Sequence, residues 1–424
     1  MTADVHEGRD PSPEQTSRPG PASVMADGPL DVTHLYFGTD WDGENRTSAH
    51  HVARWLGQRA PMLYFECPGM RAPRSTGRDV RRIARKIALA FRPARRPMPL
   101  VEVRTLLQLP FHRLPGVRTF NRLLLKRAVR RAVRRVTRGR TRPVVSWFLS
   151  PHIGDLAGQI GEDLAVQYCV DDYAAFPDVD VAAITAMDEA LSRAADIVFV
   201  TSDTMLERKR RLARQVAVAP HGVDVAHFRQ AADSAAPVPP DIAALRGPVI
   251  GFFGLIEAWI DLDLVAGLAD RHPEWSFVLL GRVAVPAATL PRQPNVHFLG
   301  VRPYDQLPHY GRRFDVSIIP YRPTRQVHHA NPIKLREYLA MEKPIVAVST
   351  PEIAKFADVV TLATTLDEWD AAIAAALADD DAGARARRRK AADAMTWDAR
   401  LTRVEGIVRD ALAGRPFQPP AVTR

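Results

Sequence analysis

Two side chains able to handle a phosphorylated ligand stand three residues apart in the run ANPIKLREYLAMEKPIVAV, residues 330–348: Lys334 and Glu337. On a helix that spacing puts both on one side of the first two turns. An ammonium beside the free N–H groups of a helix start suits a phosphate, and a carboxylate can accept hydrogen bonds from vicinal hydroxyls such as those of a ribose. Asn331 is a good N-cap and Pro332 fits the first helical position, where a missing N–H costs nothing, so the helix should begin here. Lys343 and Pro344 then break it, and IVAV at 345–348 reads as a buried parallel strand. An ordinary amphipathic helix with a solvated Lys and Glu is the competing reading of the stretch taken alone.

The remaining candidates sit where apolar runs end, which is where open α/β sheets bind their ligands. DVTHLYFG at 31–38 is followed by Trp41, Asp42, Glu44, Asn45, Arg46 and His50, and then by an apolar helix face of Val52, Trp55 and Leu56. MLYFEC at 62–67 completes a strand, helix, strand start. PVVSWFLSP at 143–151 leads to His152, and AVQYCVDDY at 165–173 presents Asp171 and Asp172 at its carboxyl end. Adjacent carboxylates cannot share one side of a strand, so one should orient the loop while the other reaches a cleft. Turn chemistry and helix capping compete for each of these polar residues. A second series of alternating strands and helices follows, with strands at 248–254, 276–281, 295–300 and 314–321, and predicts another parallel sheet.

The pattern N-P-x-K-x-x-E-Y-L at 331–339, together with GFFG, WSFVLLG, PNVHFLG and RPYDQLP upstream, resembles the bacterial group-1 branch of the GT-B glycosyltransferases. That resemblance implies an α/β fold of two Rossmann-like domains facing an interdomain cleft, and transfer of a sugar from a nucleotide-diphosphate sugar to an acceptor hydroxyl with retention. It assigns Glu337 to the donor ribose and the helix start to the diphosphate. Donor binding is then expected of Gly254, Arg282, Arg322, Asn331, Pro332, Lys334 and Glu337. Acceptor binding is expected of Trp41, Asp42, Glu44, Asn45, Arg46, His50 and His152, and catalysis of Asp172 or Asp171, which would orient the acceptor hydroxyl or act as base. A departing nucleoside diphosphate gains negative charge, so a fixed cation should face it. Lys334 and Arg282 are the first choices and Arg322 the next. The chain departs from the family at two points: His329 stands where many members carry a further Glu, and Leu255, Glu257, Asp261 and Asp263 follow Gly254 where basic residues are usual. No metal and no cofactor beyond the donor is implied, and His328 and His329 form no metal-ligand spacing.

Composition bounds what else the chain can be. With 424 residues, 46% hydrophobic and 25% charged, it can build two α/β domains. The expected boundaries are a polar tail at 1–29, a first domain at 30–228, an Ala- and Pro-rich linker at 229–247, a second domain at 248–395, a crossing helix at 396–412 and a loose end at 413–424. Met25 offers an alternative start. Cys67 and Cys169 are too few and too far apart for a disulfide framework, which makes a reducing cytosol the simplest compartment. The net charge of +10 is local: residues 71–142 hold 23 Lys and Arg against Asp79 and Glu102, a balance of +21 that leaves −11 for the rest. From 117 to 138 apolar residues recur at helical spacing among arginines, as in helices that lie on anionic bilayers. Core packing plus attraction to the inner face of a membrane ranks ahead of nucleic acid. The acceptor expected from these features is a glycan, a lipid-linked sugar or a small molecule, as in envelope or exopolysaccharide assembly. A nucleotide-sugar epimerase and a non-catalytic membrane or nucleic-acid binding protein are the alternatives.

Overall fold

The computed structural model describes residues 28–43, 46–67, 93–106, 115–137, 142–176, 179–233 and 235–417. The tail at 1–27, Glu44, Asn45, much of the basic stretch and the end at 418–424 lie outside the described residues. Within them the chain forms two parallel sheets. The first has the order β3-β4-β2-β1-β5-β6-β7-β8, with β1 Thr33–Gly38, β2 Met62–Glu66, β3 Arg95–Met98, β4 Val101–Thr105, β5 Val144–Phe148, β6 Leu164–Cys169, β7 Ile197–Val200 and β8 Val216–Val218. Every pairing is parallel except that of the edge strand β3 with β4. The second has the order β11-β10-β9-β12-β13-β14, all parallel, with β9 Val249–Phe253, β10 Ser276–Leu280, β11 Val296–Gly300, β12 Val316–Ile319, β13 Ile345–Val348 and β14 Thr361–Ala363. Mixed α/β architecture with two parallel sheets is what the strand and helix alternation predicts.

Alternation along the central strands explains the layers. On β1, Leu35 and Phe37 point into one apolar cluster with Leu63, Phe65 and Phe148, while Tyr36 points into another with Tyr64 and Trp147. The first cluster is closed by Leu125, Val129, Ala132 and Val133 of the helix Pro115–Thr137. The second is closed by the helix Ser48–Arg59 and by Trp397, Leu401, Val404 and Val408 of the last helix, Trp397–Leu412. Burying such side chains contributes about 1.5–3 kcal/mol each. The basic stretch 71–142 therefore supplies β3, β4 and a covering helix of the first domain. Phe228, the last residue of the expected first domain, and Ala231 and Ile242 of the expected linker are buried in the core of the second domain.

The last helix carries the chain back to the first domain. Val223 N–H donates to Met395 O at 2.9 Å and Trp397 N–H to Val223 O at 3.3 Å. A Cβ on Gly222 would lie 2.6–2.8 Å from Trp397 backbone and ring atoms, so only glycine permits this crossing. Trp55 Nε1 and Arg59 tie the first helix to Asp398 at 2.9 and 2.6 Å. Among the described residues no helix is long and apolar enough to span a membrane, and Cys67 and Cys169 are buried free thiols.

Candidate active site

Carboxyl ends of strands from both sheets face a cleft of about 380 Å³. Its second-domain wall is built at the ends of β9, β10 and β12. Gly254 follows β9 with φ +154, Gly281 follows β10 with φ +142, and a Cβ on Gly281 would sit 1.8 Å from Gly254 O. Two glycines thus let the strand ends close into a floor that a bulky group on a ligand can approach. Over that floor starts the helix Ile333–Ala340, eight residues long, with Pro332, Ile333, Lys334 and Glu337 on the cleft.

Lys334 and Glu337 both line the cleft, and they pair with each other: Nζ lies 2.9 Å from Glu337 Oε2. Glu337 is 2% exposed, and the Lys334 ammonium sits 4.8 Å from the centre of the Phe253 ring. The first turn is not capped as the Asn-Pro dipeptide suggests. Pro332 occupies the N-cap position and no side chain caps the helix. Asn331 turns away instead, its Nδ2 donating to Thr201 O at 2.5 Å and to Glu352 Oε2 at 3.0 Å while its Oδ1 accepts from Arg336 Nη1 at 2.5 Å. Thr201 follows β7 of the first sheet, so Asn331 joins the two domains. A buried guanidinium claimed this amide: Arg336 is 2% exposed, and burial pulls its pKa down to about 9.

The other cations fall differently from the sequence expectation. Arg282 is exposed and is absent from the cleft wall. Arg322 is held by Asp263 at 2.7 Å and Asp261 at 3.4 Å, likewise off the wall. The acids in the turn after Gly254 draw it away. Arg46 and Arg302 line the cleft in their place. The Arg302 guanidinium is shared with Asp241 at 2.7 Å, whereas Arg46 lies over the Tyr304 ring, 4.5 Å from its centre. Arg302 follows β11 at a strand end and is legible in sequence; Arg46 becomes a donor-side candidate only because the loop folds toward Tyr304.

On the first-domain side the two aspartates part company. Asp171 lines the cleft, and burial, reinforced by the neighbouring Asp172 charge, pushes its pKa up to about 7. Asp172 is 5% exposed and lies within 2.6 Å of Arg208, 3.3 Å of Arg325 and 3.9 Å of His329 Nε2. Burial alone would raise its pKa, but the Arg208 hydrogen bond and the charges of Arg208 and Arg325, with His329 beside them, outweigh it and hold the carboxyl low. Arg325 and His329 belong to the second domain, so this carboxylate binds the domains together. Ser202 Oγ adds a bond to His329 O at 2.8 Å, and Asp203 N–H one to Glu352 Oε1 at 2.9 Å.

Several expected acceptor residues are structural. Trp41 is 4% exposed and packs edge-on against Tyr64. Asp42 is paired with Arg95. His50 Nε2–H donates to Asp40 O at 2.9 Å, which leaves Nδ1 to accept from Thr47 N–H at 3.1 Å: it closes a capping box and has no lone pair left for a substrate. His152 lies in the 3-10 turn Pro151–Leu156, beside Ser150 and off the cleft wall. Sequence reasoning missed Ser48 and His221, which meet on the cleft at 2.9 Å. Burial holds the His221 pKa down at about 3, so it is neutral. Among the described residues no group of three or more His, Cys, Asp or Glu is placed to hold a metal ion.

With this geometry the likeness to known proteins can be weighed. Residues 247–379, the part carrying Gly254, Gly281, Lys334 and Glu337, match the family of glycosyl transferases group 1. A Bacillus subtilis (strain 168) protein described as a teichuronic acid biosynthesis glycosyltransferase, TuaH, is 30% identical over 169 residues, 38% of this chain and 42% of that relative. The match thus spans less than half of the relative's length. Among solved structures, sucrose-phosphate synthase from Thermosynechococcus elongatus superposes with TM-score 0.63 at 14% identity over 90% of this chain and 100% of that one. An Anabaena protein, HepE, in complex with UDP and glucose superposes with TM-score 0.61 at 15% identity over 89% and 99%. At such identities the structural likeness speaks for the fold. Two parallel sheets facing a cleft give this chain the GT-B fold, and residues 247–379, which build the wall of the second sheet, carry the likeness to glycosyl transferases of group 1.

Proposed function

We propose that the chain transfers a sugar from a nucleotide-diphosphate sugar to an acceptor hydroxyl, with retention at the anomeric carbon, in the assembly of an envelope or extracellular glycan. The observation that carries this reading is the Lys334–Glu337 pair beside an uncapped helix start and a two-glycine floor, inside a cleft between two domains. The diphosphate would lie over Gly254 and the helix start, with Lys334 and Arg46 as its cations. Glu337 would leave Lys334 and accept from the ribose hydroxyls. As the bond from the anomeric carbon to the phosphate oxygen breaks, the leaving oxygen gains charge that the ammonium and the helix N–H groups stabilise. Asp171, on the opposite wall, would position the acceptor hydroxyl, whose oxygen bonds to the anomeric carbon as its proton passes to the departing phosphate oxygen. A thermal-shift panel of nucleoside diphosphates and their sugars tests this: a ligand at about 100 times its dissociation constant adds roughly 2.7 kcal/mol of stability. No shift with any of them contradicts the reading.

The acceptor is proposed to be presented at an anionic membrane surface. The helix Pro115–Thr137 contains no Asp or Glu, and its apolar face is already used in the first-domain core. What it turns outward is Arg122, Arg127, Arg130, Arg131, Arg134 and Arg135, with Phe120 and Leu123 about half exposed among them. Each basic side chain near such a surface contributes about 1 kcal/mol. Flotation with vesicles containing phosphatidylglycerol, lost with phosphatidylcholine alone and lost on reversing three of these charges, supports the assignment; equal binding to both vesicles removes it.

A further inference from the structure

A second chamber, about 390 Å³, opens beside the cleft and shares Arg46 and Tyr304 with it. Arg54, from the middle of the helix Ser48–Arg59, projects into its wall together with Trp41 and Asp42. The Arg54 guanidinium rests over the Trp41 ring at 5.4 Å, and its Nη1 is buried with no hydrogen-bond partner among the described residues. Among the described residues neither Arg54 nor Arg46 forms an ion pair. Of the acids on the wall, Asp42 is engaged by Arg95 and Asp305 is exposed. His50, also on the wall, has both ring nitrogens committed to Thr47 and Asp40. Burial and the nearby Arg46 charge lower the Arg54 pKa, with the Asp42 charge opposing them.

A buried, unused guanidinium donor is costly unless something accepts from it. Two guanidiniums, each over an aromatic face and neither in an ion pair among the described residues, make a site for a forked anion such as a phosphate ester or a carboxylate. We propose that this chamber binds an anionic substituent, phosphate or carboxylate, on the acceptor, and so selects charged over neutral acceptors. This rests on the reading that the acceptor enters from the first domain. The helix that carries Arg54 is anchored to the last helix through Asp398, which gives the site a rigid base.

The test is equilibrium binding to the full chain of three probes: a hexose 6-phosphate, a hexuronic acid and the parent neutral hexose. At least one anionic probe should bind about tenfold or more tightly than the neutral hexose, as charge-assisted forked bonds require. Arg54→Gln should abolish that preference while leaving affinity for a nucleoside diphosphate unchanged. Arg46→Gln, at an exposed position that cannot disturb folding through the core, should abolish the preference too. Which anionic probe wins separates phosphate from carboxylate. The proposal is overturned if neither anionic probe outbinds the hexose, or if the preference survives in both variants. Failure of the donor reading shows itself separately, as absence of nucleoside diphosphate binding in the wild type.

Discussion

The two walls of the cleft are built on different principles. On the second-domain wall the chemistry-bearing groups sit on strand ends and a helix: Gly254, Gly281, Lys334 and Glu337 are placed by the β-sheet floor and by a helix whose inner face is fully buried. On the first-domain wall they sit on connections, with Arg46 on a loop and Asp171 just past β6, while the histidines and Trp41 nearby serve the fold. A wall held by regular elements keeps one geometry, and a wall held by loops can be re-cut without disturbing the core. The family likeness at residues 247–379 falls on the wall held by regular elements.

Four outcomes break or sharpen that contrast. Glu337→Ala should have the largest effect, about a hundredfold loss of donor affinity, because a buried carboxylate bonded to two hydroxyls contributes about 1.5–3 kcal/mol and its removal also strands Lys334; isothermal titration with a nucleoside diphosphate measures it. Asn331→Ala should leave the donor groups in place but cut the tie to Thr201, Glu352 and the buried Arg336, costing about 2–3 kcal/mol in a urea melt. Were it silent, the domains would be held together by other contacts. Gly222→Ala should cost about 1–3 kcal/mol by forcing a methyl against Trp397, loosening the last helix from the first domain.

The smallest effect concerns Asp171. Its folded pKa is raised to about 7, so the stability it contributes is fully present below the ordinary carboxylate range and is lost as pH rises to about 7. Asp171→Asn should flatten the stability profile across that window. If the ionised form positions the acceptor, transfer by the wild type should rise through pH 7 and the variant should lose that rise. Asp172 works in the opposite sense, since its lowered pKa gives stability that is present above the ordinary carboxylate range and lost as pH falls through the folded value.

The contrast between the walls also explains what could be read in advance. Strand positions such as Ile345–Val348 and Val249–Phe253 followed from apolar runs bounded by breakers, and the Lys334–Glu337 spacing led straight to the cleft. The strands β3 and β4 did not, because a run dense in arginine hides short strands, and β3 at the sheet edge pairs on one side only. Asn331 looked like a cap because local propensity ignores a buried guanidinium five residues on and a carbonyl 130 residues away. Arg322 looked like a phosphate ligand until Asp261 and Asp263 were seen to claim it. His50 and Trp41 carry residue types that suggest chemistry, but their hydrogen bonds and burial are spent within the loop. Long-range competition for a charged or polar side chain is invisible to spacing.

The most direct test pairs one titration with one substitution: binding of UDP and other nucleoside diphosphates to the wild type and to Glu337→Ala, with circular dichroism to show that both are folded. Saturable binding of a nucleoside diphosphate by the wild type, weakened about a hundredfold in the variant, is the predicted result. Equal affinity in the two proteins, or no binding by the wild type at any accessible concentration, contradicts the placement of the donor on Lys334 and Glu337.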